Sequence, residues 1–471
     1  MIEFDLAVIG GGPGGYAAAI RGAQSGARVC LVEAAEIGGT CLNRGCIPTK
    51  ALYSSVHLLQ QLRGAAEHGI QLSAPQVDFP RMLARKDAVV AKLVGGIEQL
   101  LKGWGVEIIR GQGMLEGPGR VKIRRDDVIG HIRAKSIILA TGSRPVKPQG
   151  LAIDGKNVLT SDEILVMKEL PESLLIIGGG YIGCEFAAIF APLGTRVALV
   201  EQLPQLLPNA DRQAVREVET SFAEMGVKTF VGTSVDNLIP AVSGVSARLS
   251  DGQSLQVDKV LVAVGREPNS AGLGLEPAGV ATARGAVVVD AGMRTSVPGV
   301  FAIGDLTGGA QLAHVAFQQA QVAVANALGG DAQVDLRVLP RVIFTFPELA
   351  QVGRTEEQCQ ADGLAVEVGR FSLQACGKAL CDGEARGQVK VVAAWEDGRI
   401  LGVTVVGAGA ASLIAEAAVA MQQGLSAQQL SAVIHAHPTL PEALLEAAED
   451  VAGLALHRMS RKGRGDAPTQ Q

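Results

Sequence analysis

The sequence predicts an α/β protein with two doubly wound, parallel-sheet domains and a C-terminal α+β domain. Two observations lead to this fold class. A β-α-β pattern with a glycine-rich turn occurs twice, first at residues 4–33 and again at residues 174–201. From about residue 340 the pattern changes to alternating strands with two amphipathic helices. With 471 residues the chain can form roughly two to four domains with substantial cores.

Each repeat predicts a site for a dinucleotide. The letters GGGPGG at residues 10–15 precede a strand that ends at Glu33, and GGGYIG at 178–183 precedes a strand that ends at Glu201. The interval from the first glycine to the acid is 23 residues in both copies. Glycines let a pyrophosphate approach the backbone, the helix N-terminus offers N–H donors, and the distal carboxylate accepts from ribose hydroxyls.

Glycines that serve only close packing of helix on strand would explain one copy, but hardly two with matched intervals. Both domains are therefore predicted to be Rossmann-like, with Glu33 and Glu201 as ribose ligands. A carboxylate at Glu201 would repel a 2′-phosphate, and the next arginine is Arg212. NAD is therefore favoured over NADP for the second domain.

Weaker motifs extend the repetition. ATGSRP at 140–145 and AVGREP at 263–268 each follow an apolar strand.

The predicted organisation is a first domain in two parts, 1–146 and 271–338, a second nucleotide-binding domain at 147–270, an α+β domain at 339–458 and a disordered tail at 459–471. Within the α+β domain the pattern predicts strands at 342–346, 389–394 and 401–406, and helices at 411–423 and 426–433.

Composition excludes several functional classes. There are 42 Lys and Arg against 47 Asp and Glu, a formal charge of −5 without long charged blocks, so nucleic acid is not expected as a partner. No uncharged apolar run approaches the ~20 residues that span a bilayer, so no membrane is expected either. The acidic N-terminus lacks the features of a secretion signal. We therefore expect a soluble, cytoplasmic protein.

Two cysteines stand in the stretch GGTCLNRGCIPTK at residues 38–50. If Cys46 begins the helix that follows, the helix dipole and the nearby Lys50 favour its thiolate, the reactive form of cysteine. Zinc is the rival interpretation, but it needs about four N or S ligands, and no second pair is close to Cys41 and Cys46 in sequence. A buried structural pair is a further alternative. Redox chemistry is favoured because the adjacent nucleotide-binding fold offers an electron partner.

Several motifs together carry a family resemblance over about residues 3–457. They are GGGPGG, GGTCLNRGCIPTK, ATGSRP, GGGYIG with Glu185, VGREPN, FAIGD and the C-terminal HAHPTLPE at 435–442. With them the chain resembles the pyridine nucleotide-disulfide oxidoreductases, most closely those that reoxidise lipoyl groups in 2-oxoacid dehydrogenase and glycine cleavage complexes. This resemblance implies FAD on the first domain, NAD on the second and a homodimer joined by the third.

The resemblance also implies roles for single residues. Cys41 matches the thiol that meets the dithiol substrate, and Cys46 the thiol that faces the flavin, the two forming a redox disulfide. Lys50 and Glu185 match a pair beside the flavin ring, and Asp305 the residue that holds the ribityl chain. The full set of expected FAD contacts is Gly10, Gly12, Gly14, Gly15, Glu33, Gly39, Thr40, Lys50, Gly113, Thr141, Gly142, Asp305 and Ala313. The expected NAD contacts are Gly178, Gly180, Tyr181, Ile182, Gly183, Glu201, Val235 and Gly265.

His437 matches the family's catalytic base and Glu442 the carboxylate that orients it. A thiol attacks slowly until it loses its proton, so a base within hydrogen-bond reach increases the reactive fraction. The resemblance places His437 against the disulfide of the second subunit of the dimer. Five other histidines are interpreted as ordinary polar residues: His57, His68, His131, His435 and His457.

The expected activity is the FAD-dependent oxidation of protein-bound dihydrolipoyl groups with NAD⁺. The expected partner is the lipoyl domain of an acyltransferase or the carrier protein of glycine cleavage, and no metal is expected.

Glutathione reductase is disfavoured because basic residues for NADP are missing after Glu201, and mercuric reductase because the tail lacks paired cysteines. A flavoprotein with only a scaffold role would tolerate the loss of Cys41, Cys46 or His437, and all three are present. Cys359, Cys376 and Cys381 are expected to be structural thiols.

Overall fold

The computed structural model describes residues 2–240 and 244–459. Most of the predicted disordered tail, residues 460–471, lies outside the described residues. Two compact units divide the chain. Unit 1 comprises the described residues of Met1–Ser55, Asp78–Glu169 and Val262–Leu336, and unit 2 those of Val56–Val77, Leu170–Leu261 and Arg337–Gln471.

The strands of the described residues are, in chain order, β1 (Ile2–Ile9), β2 (Val29–Glu33), β3 (Glu107–Arg110), β4 (Gln112–Gly117), β5 (Arg120–Arg125), β6 (Val128–Leu139), β7 (Ser143–Pro145), β8 (Val158–Leu159), β9 (Ser173–Ile177), β10 (Arg196–Glu201), β11 (Lys228–Val231), β12 (Val235–Pro240), β13 (Val245–Leu249), β14 (Ser254–Val257), β15 (Lys259–Val262), β16 (Arg266–Pro268), β17 (Thr282–Ala283), β18 (Ala286–Val287), β19 (Val300–Ala302), β20 (Arg341–Ile343), β21 (Leu349–Gly353), β22 (Val366–Ser372), β23 (Gln388–Ala394) and β24 (Ile400–Val406).

The α-helices are α1 (Pro13–Gln24), α2 (Gly39–Arg44), α3 (Cys46–Gly64), α4 (Phe79–Gly103), α5 (Ser161–Ile164), α6 (Tyr181–Phe190), α7 (Arg212–Glu224), α8 (Ala313–Ala327), α9 (Glu356–Ala361), α10 (Gly377–Cys381), α11 (Ala410–Gln422), α12 (Ala427–Ser431) and α13 (Glu442–Val451). Short 3₁₀ helices lie at Ala65–His68, Gly304–Thr307 and Leu373–Ala375.

The sheet of unit 1 is organised around the long strand β6. Its C-terminal part pairs in parallel with β1, from Ile132 opposite Ile2 to Leu139 opposite Ile9. Its N-terminal part pairs antiparallel with β5, while its last three residues also pair in parallel with β19. On the other side the order continues through β2 to β3. One strand therefore joins the parallel sheet to an antiparallel meander.

Both faces of this sheet are buried, as expected for a doubly wound parallel sheet. Alternate residues of β6 enter different cores, because successive side chains of a strand point to opposite faces. Ile137 and Leu139 belong to a core with the meander strands, whereas Ile138 belongs to a core with α1 and α8 residues such as Ala18 and Ala320. The near-continuous apolar runs of β1 and β6 in the sequence follow from this double burial.

Unit 2 repeats the arrangement with strands in the order β11, β10, β9, β15. Strand β10 pairs in parallel with β9, from Arg196 opposite Ser173, and with β11, from Ala198 opposite Lys228. An antiparallel ribbon of β12, β13 and β14 follows in the chain. The sequence prediction of two β-α-β units with a shared plan is confirmed.

The C-terminal part of unit 2 is an antiparallel sheet in the order β20, β21, β24, β23, β22. Its core combines strand residues such as Val391 and Val405 with Leu413 of α11 and Leu444 of α13. The predicted helices at 411–423 and 426–433 are found as α11 and α12, the second of them shorter. The predicted strand 342–346 ends earlier, at Ile343, close to a proline that has no N–H to offer a ladder. Strands β21 and β22 and helix α13 were not predicted.

A buried ion network ties α7 to β23 within unit 2. The Lys390 ammonium lies 2.7 Å from the Asp211 carboxylate and 3.3 Å from Glu356, and the Lys390 and Asp211 side chains are 2% and 1% exposed. Asp211 also caps α7, accepting from the N–H groups of Gln213 and Ala214. Because both charges are out of water, each depends on the other for compensation.

Among the described residues, none of the helices is both long enough and apolar enough to cross a membrane.

Replacing Lys390 by Met should lower the free energy of unfolding of unit 2 by about 3–5 kcal/mol, because the Asp211 charge would be left buried without its partner. Urea unfolding of the purified protein, followed by circular dichroism, measures this change. The control is Lys378→Met, which removes a Lys–Asp pair whose side chains are 41% and 37% exposed and should leave unfolding nearly unchanged. Equal effects of the two substitutions would contradict this account of the network.

Candidate active site

The first glycine-rich turn lies between β1 and α1 in unit 1. Gly10 has a φ of +103°, and a Cβ there would lie 2.4 Å from the Ala140 carbonyl oxygen. A Cβ at Gly15 would lie only 1.7 Å from the carbonyl oxygen of Gly10, so only glycine permits this contact of helix and strand. At Gly12 the nearest atom would be 3.9 Å away, the Cα of Gly39. The turn is thus closed at both ends and open at its middle glycine.

The second turn, between β9 and α6 in unit 2, has the same geometry. Gly178 has a φ of +108°, and a Cβ at Gly183 would lie 1.9 Å from the Gly178 carbonyl oxygen. A Cβ added at Gly180 would meet no atom within 4 Å. The helices α1 and α6 begin at the residue after Gly12 and Gly180, so their free N–H groups and positive dipole ends face the open side. Both turns fit a pyrophosphate.

The predicted ribose carboxylates lie at the ends of β2 and β10, and both are buried. Glu33 accepts from the N–H of Gly11 at 2.5 Å and of Ala35 at 2.6 Å. Glu201 accepts from Gly179 at 2.7 Å and Leu203 at 2.8 Å. Each carboxylate oxygen keeps a second lone pair, so both groups can still accept from a hydroxyl. The matched contacts fit one dinucleotide in each unit.

Asp305 stands at the end of a hydrogen-bonded chain in unit 1. The Arg266 Nε donates to Ser143 Oγ at 2.8 Å, and Ser143 Oγ donates to Asp305 Oδ2 at 2.5 Å. The arginine also donates from Nη2 to the Ser143 carbonyl oxygen at 2.8 Å. No described residue donates a hydrogen bond to Asp305 Oδ1. The carboxylate is therefore oriented on one side and open to a ligand hydroxyl on the other.

Ser143 and Arg266 were not among the predicted site residues. They occupy the two motifs that repeat between the halves of the chain, ATGSRP and AVGREP, which form the paired strands β7 and β16. The neighbouring Thr141 and Asn269 bond each other's carbonyl oxygens at 2.8 and 3.1 Å. The repetition of these motifs was the signal from which both residues could have been found.

Other predicted contact residues have simpler surroundings. Gly113 lies in β4, where a Cβ would approach the Ile9 side chain to 2.9 Å, so its glycine serves packing of the sheet. Gly142 and Gly265 have φ values of +69° and +125°, which other residues rarely adopt. Each of the remaining predicted contacts is found in an element named above or beside a glycine turn: Gly14, Gly39, Thr40, Ala313, Tyr181, Ile182 and Val235.

The two cysteines lie on consecutive helices that are separated by one residue. Cys41 is in α2, and Cys46 begins α3, as predicted. No disulfide bond joins the two sulfurs in this structure. A hydrogen bond to Cys46, burial and the charge of Cys46 raise the pKa of the Cys41 thiol well above its usual value, against the opposing effect of Lys50. Cys41 thus holds its proton.

Tyr16 is a neighbour of this pair that sequence reasoning missed. It lies in the first turn of α1, and its ring is 5.9 Å from that of Phe317 in α8. Burial, together with the charges of Cys41 and Cys46, raises the pKa of Tyr16 to about 12. The phenol therefore stays protonated beside the thiols. Its position directly after GGGPGG was the available signal.

The predicted catalytic histidine lies in unit 2, in the segment before α13. His437 Nδ1 is 2.8 Å from Glu442 Oε1, and Glu442 Oε2 accepts from the Thr439 N–H at 2.7 Å. Burial opposes ionisation of Glu442, but these two hydrogen bonds hold the pKa of its carboxyl below the usual value. The anion fixes the proton on Nδ1 and leaves Nε2 to accept one. The His437 side chain is 78% exposed in the single subunit.

Glu185 lies in α6, is 7% exposed and accepts from the Phe344 N–H at 3.2 Å. Lys50 lies one turn along α3 from Cys46. Their pairing beside a flavin stays a prediction.

Within the described part of the chain, no three or more His, Cys, Asp or Glu side chains are grouped in a way that could hold a metal ion.

Comparison with known proteins decides the family. The model for "Pyridine nucleotide-disulphide oxidoreductase" matches residues 4–320, and that for the dimerisation domain of the same family matches residues 339–448. The chain belongs to the pyridine nucleotide-disulphide oxidoreductase family. It is 44% identical over 468 residues to the dihydrolipoyl dehydrogenase of Thermus scotoductus, covering 98% of this chain and 100% of that one. A dihydrolipoyl dehydrogenase of Bacillus subtilis is 38% identical, with 97% and 99% covered.

Solved structures of the family agree. LpdA of Mycobacterium tuberculosis superposes with a TM-score of 0.90 at 30% identity, covering 96% of this chain and 100% of that one. The HOCl-induced flavoprotein disulfide reductase RclA of Escherichia coli gives 0.85 at 31% identity, with 94% and 99% covered. The predicted fold, two Rossmann-like domains and a C-terminal dimerisation domain, is confirmed. As a member of this family the protein uses FAD and NAD(H) and forms a homodimer.

The two glycine turns should be separable by substitution. Gly15→Ala should abolish FAD retention, because its methyl group would displace the Gly10 carbonyl and open the first turn. Gly183→Ala should leave the protein yellow and weaken NAD binding instead. Flavin absorbance per chain and NADH titration measure the two losses. Gly95→Ala, where a Cβ would meet no atom within 4 Å, is the control, and a loss of flavin from Gly183→Ala would contradict the assignment.

Proposed function

We propose that this protein oxidises protein-bound dihydrolipoyl groups to lipoyl groups with NAD⁺ as the final acceptor. The proposal rests on one observation above all: a hydrogen-bonded cysteine pair, Cys41 and Cys46, on helices that follow a dinucleotide turn. The names of relatives with 38–44% identity over nearly the whole chain support it. The dithiol of a dihydrolipoyl group matches a two-cysteine acceptor in stoichiometry.

The domain assignment is part of the proposal. FAD binds the domain formed by 1–146 and 271–338, NAD binds 147–270, and 339–458 forms the dimer. Glu33 at the first turn and Glu201 at the second then read the two riboses, and the open Oδ1 of Asp305 takes a hydroxyl of the FAD ribityl chain. Lys50 and Glu185 flank the flavin ring.

His437 starts the reaction by accepting a proton at Nε2 from one thiol of the substrate. Glu442 stabilises the resulting imidazolium, since its ionised carboxylate already holds Nδ1–H at 2.8 Å. The family likeness assigns this step to the disulfide of the second subunit. Without the carboxylate the ring could rotate and expose either nitrogen.

The thiolate sulfur then attacks Cys41 of the oxidised couple, forming a mixed disulfide and breaking the bond to Cys46. The second substrate thiol loses its proton and attacks the substrate sulfur of that mixed disulfide, which closes the lipoyl ring and releases Cys41. Two electrons and two protons leave the substrate, and the cysteine pair is reduced. Cys41 holds a proton because its pKa is raised, and the family likeness assigns the thiolate that faces the flavin to Cys46. The chemistry that bound FAD supplies is acceptance of this electron pair and hydride transfer to NAD⁺.

The proposed macromolecular partner is the lipoyl domain of an acyltransferase or the carrier protein of glycine cleavage, and the proposed location is the cytoplasm. The names of the relatives with 38–44% identity support a dihydrolipoyl substrate.

Anaerobic titration of the FAD-loaded protein with dihydrolipoamide should produce a long-wavelength absorption band, and added NAD⁺ should then yield NADH. Cys46→Ser should lose the band, because its thiolate is the electron donor to the flavin. Glutathione disulfide with NADPH is the competing substrate pair. Turnover with that pair alone would refute the proposed substrate.

Replacing His437 by Gln should slow dihydrolipoamide oxidation by about 100-fold or more while sparing electron transfer from NADH to a dye, because only the thiol reaction needs a base. Steady-state rates of the two reactions measure the difference. His131→Gln, which alters an exposed pair with Glu116 at 2.9 Å, is the control. An equal loss in both assays would show that His437 is structural.

A further inference from the structure

A second histidine lies two residues before His437 and is held quite differently. The His435 side chain is 5% exposed, against 78% for His437. Its Nδ1 is 2.8 Å from the Val433 carbonyl oxygen, and its Nε2 is 2.8 Å from Glu416 Oε1. Both ring nitrogens of His435 therefore face oxygen atoms at hydrogen-bond distance. The sequence interpretation of His435 as an ordinary polar residue does not account for this.

If Glu416 is ionised, these contacts require a proton on each nitrogen. A carbonyl oxygen only accepts, and an ionised carboxylate only accepts, so a neutral imidazole could satisfy just one of them. A proton on Glu416 instead would satisfy both contacts, but a carboxyl group ordinarily titrates about two units below an imidazole. The geometry therefore points to an imidazolium at His435, paired with the Glu416 anion.

This ion pair anchors the chain segment that carries the base, residues 432–441 between α12 and α13. Glu416 belongs to α11, whose Leu413, Ile414 and Ala417 are buried in the core of the C-terminal sheet. The anchor is thus fixed to a packed helix. Within a single subunit the apolar residues beside the histidine supply little anchoring, since Val433 and Ile434 are 52% and 97% exposed there.

The other end of the same segment is held by Glu442. Its carboxylate accepts from Thr439 N–H at 2.7 Å and from His437, and Thr439 Oγ1 donates to the Ala436 carbonyl oxygen at 2.6 Å. The segment with His437 is therefore held by two imidazole–carboxylate contacts, one from Glu416 of α11 and one from Glu442 of α13. Only one of them involves the base itself.

We propose that His435 is a positioning residue for the thiol reaction, an imidazolium clamped between Glu416 and the Val433 carbonyl that sets the place of His437. This inference rests on the proposed function, in which His437 is the base. A base displaced by about 1 Å from its substrate can lose roughly 100-fold in rate, so the loss of this anchor has a measurable cost.

A double-mutant cycle on the FAD-loaded dimer tests the pairing. His435→Ala and Glu416→Ala should each lower kcat for dihydrolipoamide by roughly 10- to 100-fold, and the double variant should be no slower than the slower single one, since both remove the same anchor. His435→Gln, which can still donate to Glu416, should recover part of the rate. NADH-to-dye transfer and the KM for NAD⁺ should stay at wild-type values.

Nitrogen NMR of the protein labelled at its seven histidines gives an independent signature, because both nitrogens of His435 should carry protons at neutral pH. His131→Ala is the matched control for the loss of a His–Glu contact. Additive losses in the double variant, an unchanged kcat for His435→Ala or a neutral His435 ring would each overturn the inference. Failure of the wild-type protein to oxidise dihydrolipoamide would instead refute the proposed function, and the NMR result would still stand.

Discussion

The structure depends on a steric constraint at two points, where a helix approaches the strand before it with no room for a methyl group. At Gly15 and Gly183 an added Cβ would lie less than 2 Å from the carbonyl oxygen of the first glycine of the same turn. That contact fixes the direction in which α1 and α6 leave the sheet, and hence where their free N–H groups lie. The middle glycines stay open to the ligand, and the carboxylates of Glu33 and Glu201 order the backbone on the far side. A small set of backbone contacts thus sets up both nucleotide sites.

Short-range electrostatic interactions determine which groups of the redox site carry a proton. The pKa of the Cys41 thiol is raised by its hydrogen bond with Cys46, by burial and by the charge of Cys46, and this distinguishes the two thiols. Glu442 acts on His437 in a similar manner, because its anionic carboxylate fixes the ring proton on Nδ1. In each pair a single neighbour decides which atom can accept or give up a proton.

The sequence predicted those parts whose pattern is local. The glycine turns, the acid 23 residues later and the start of α3 at Cys46 are all readable within a few dozen residues. Contacts between distant segments were not readable: Lys390 and Asp211 are 179 residues apart, and the Arg266 to Ser143 contact spans 123. Helix α13 was missed because it starts immediately after Pro441, inside the motif interpreted for chemistry rather than for structure. His435 was interpreted as ordinary because the identity of its partner, Glu416, is fixed only by the fold.

The pairing of β6 with β19 has a consequence for synthesis on the ribosome. β6 ends at Leu139, but its parallel neighbour β19 spans Val300–Ala302, and α8, which covers the same face as α1, follows only at Ala313–Ala327. The first nucleotide domain therefore emerges with β6 lacking its neighbour β19 and with one face of the sheet covered by α1 but not yet by α8, while β9, β10 and β11 of the second are already complete. The core of the first nucleotide domain can therefore be completed only after β19 and α8 have been synthesised.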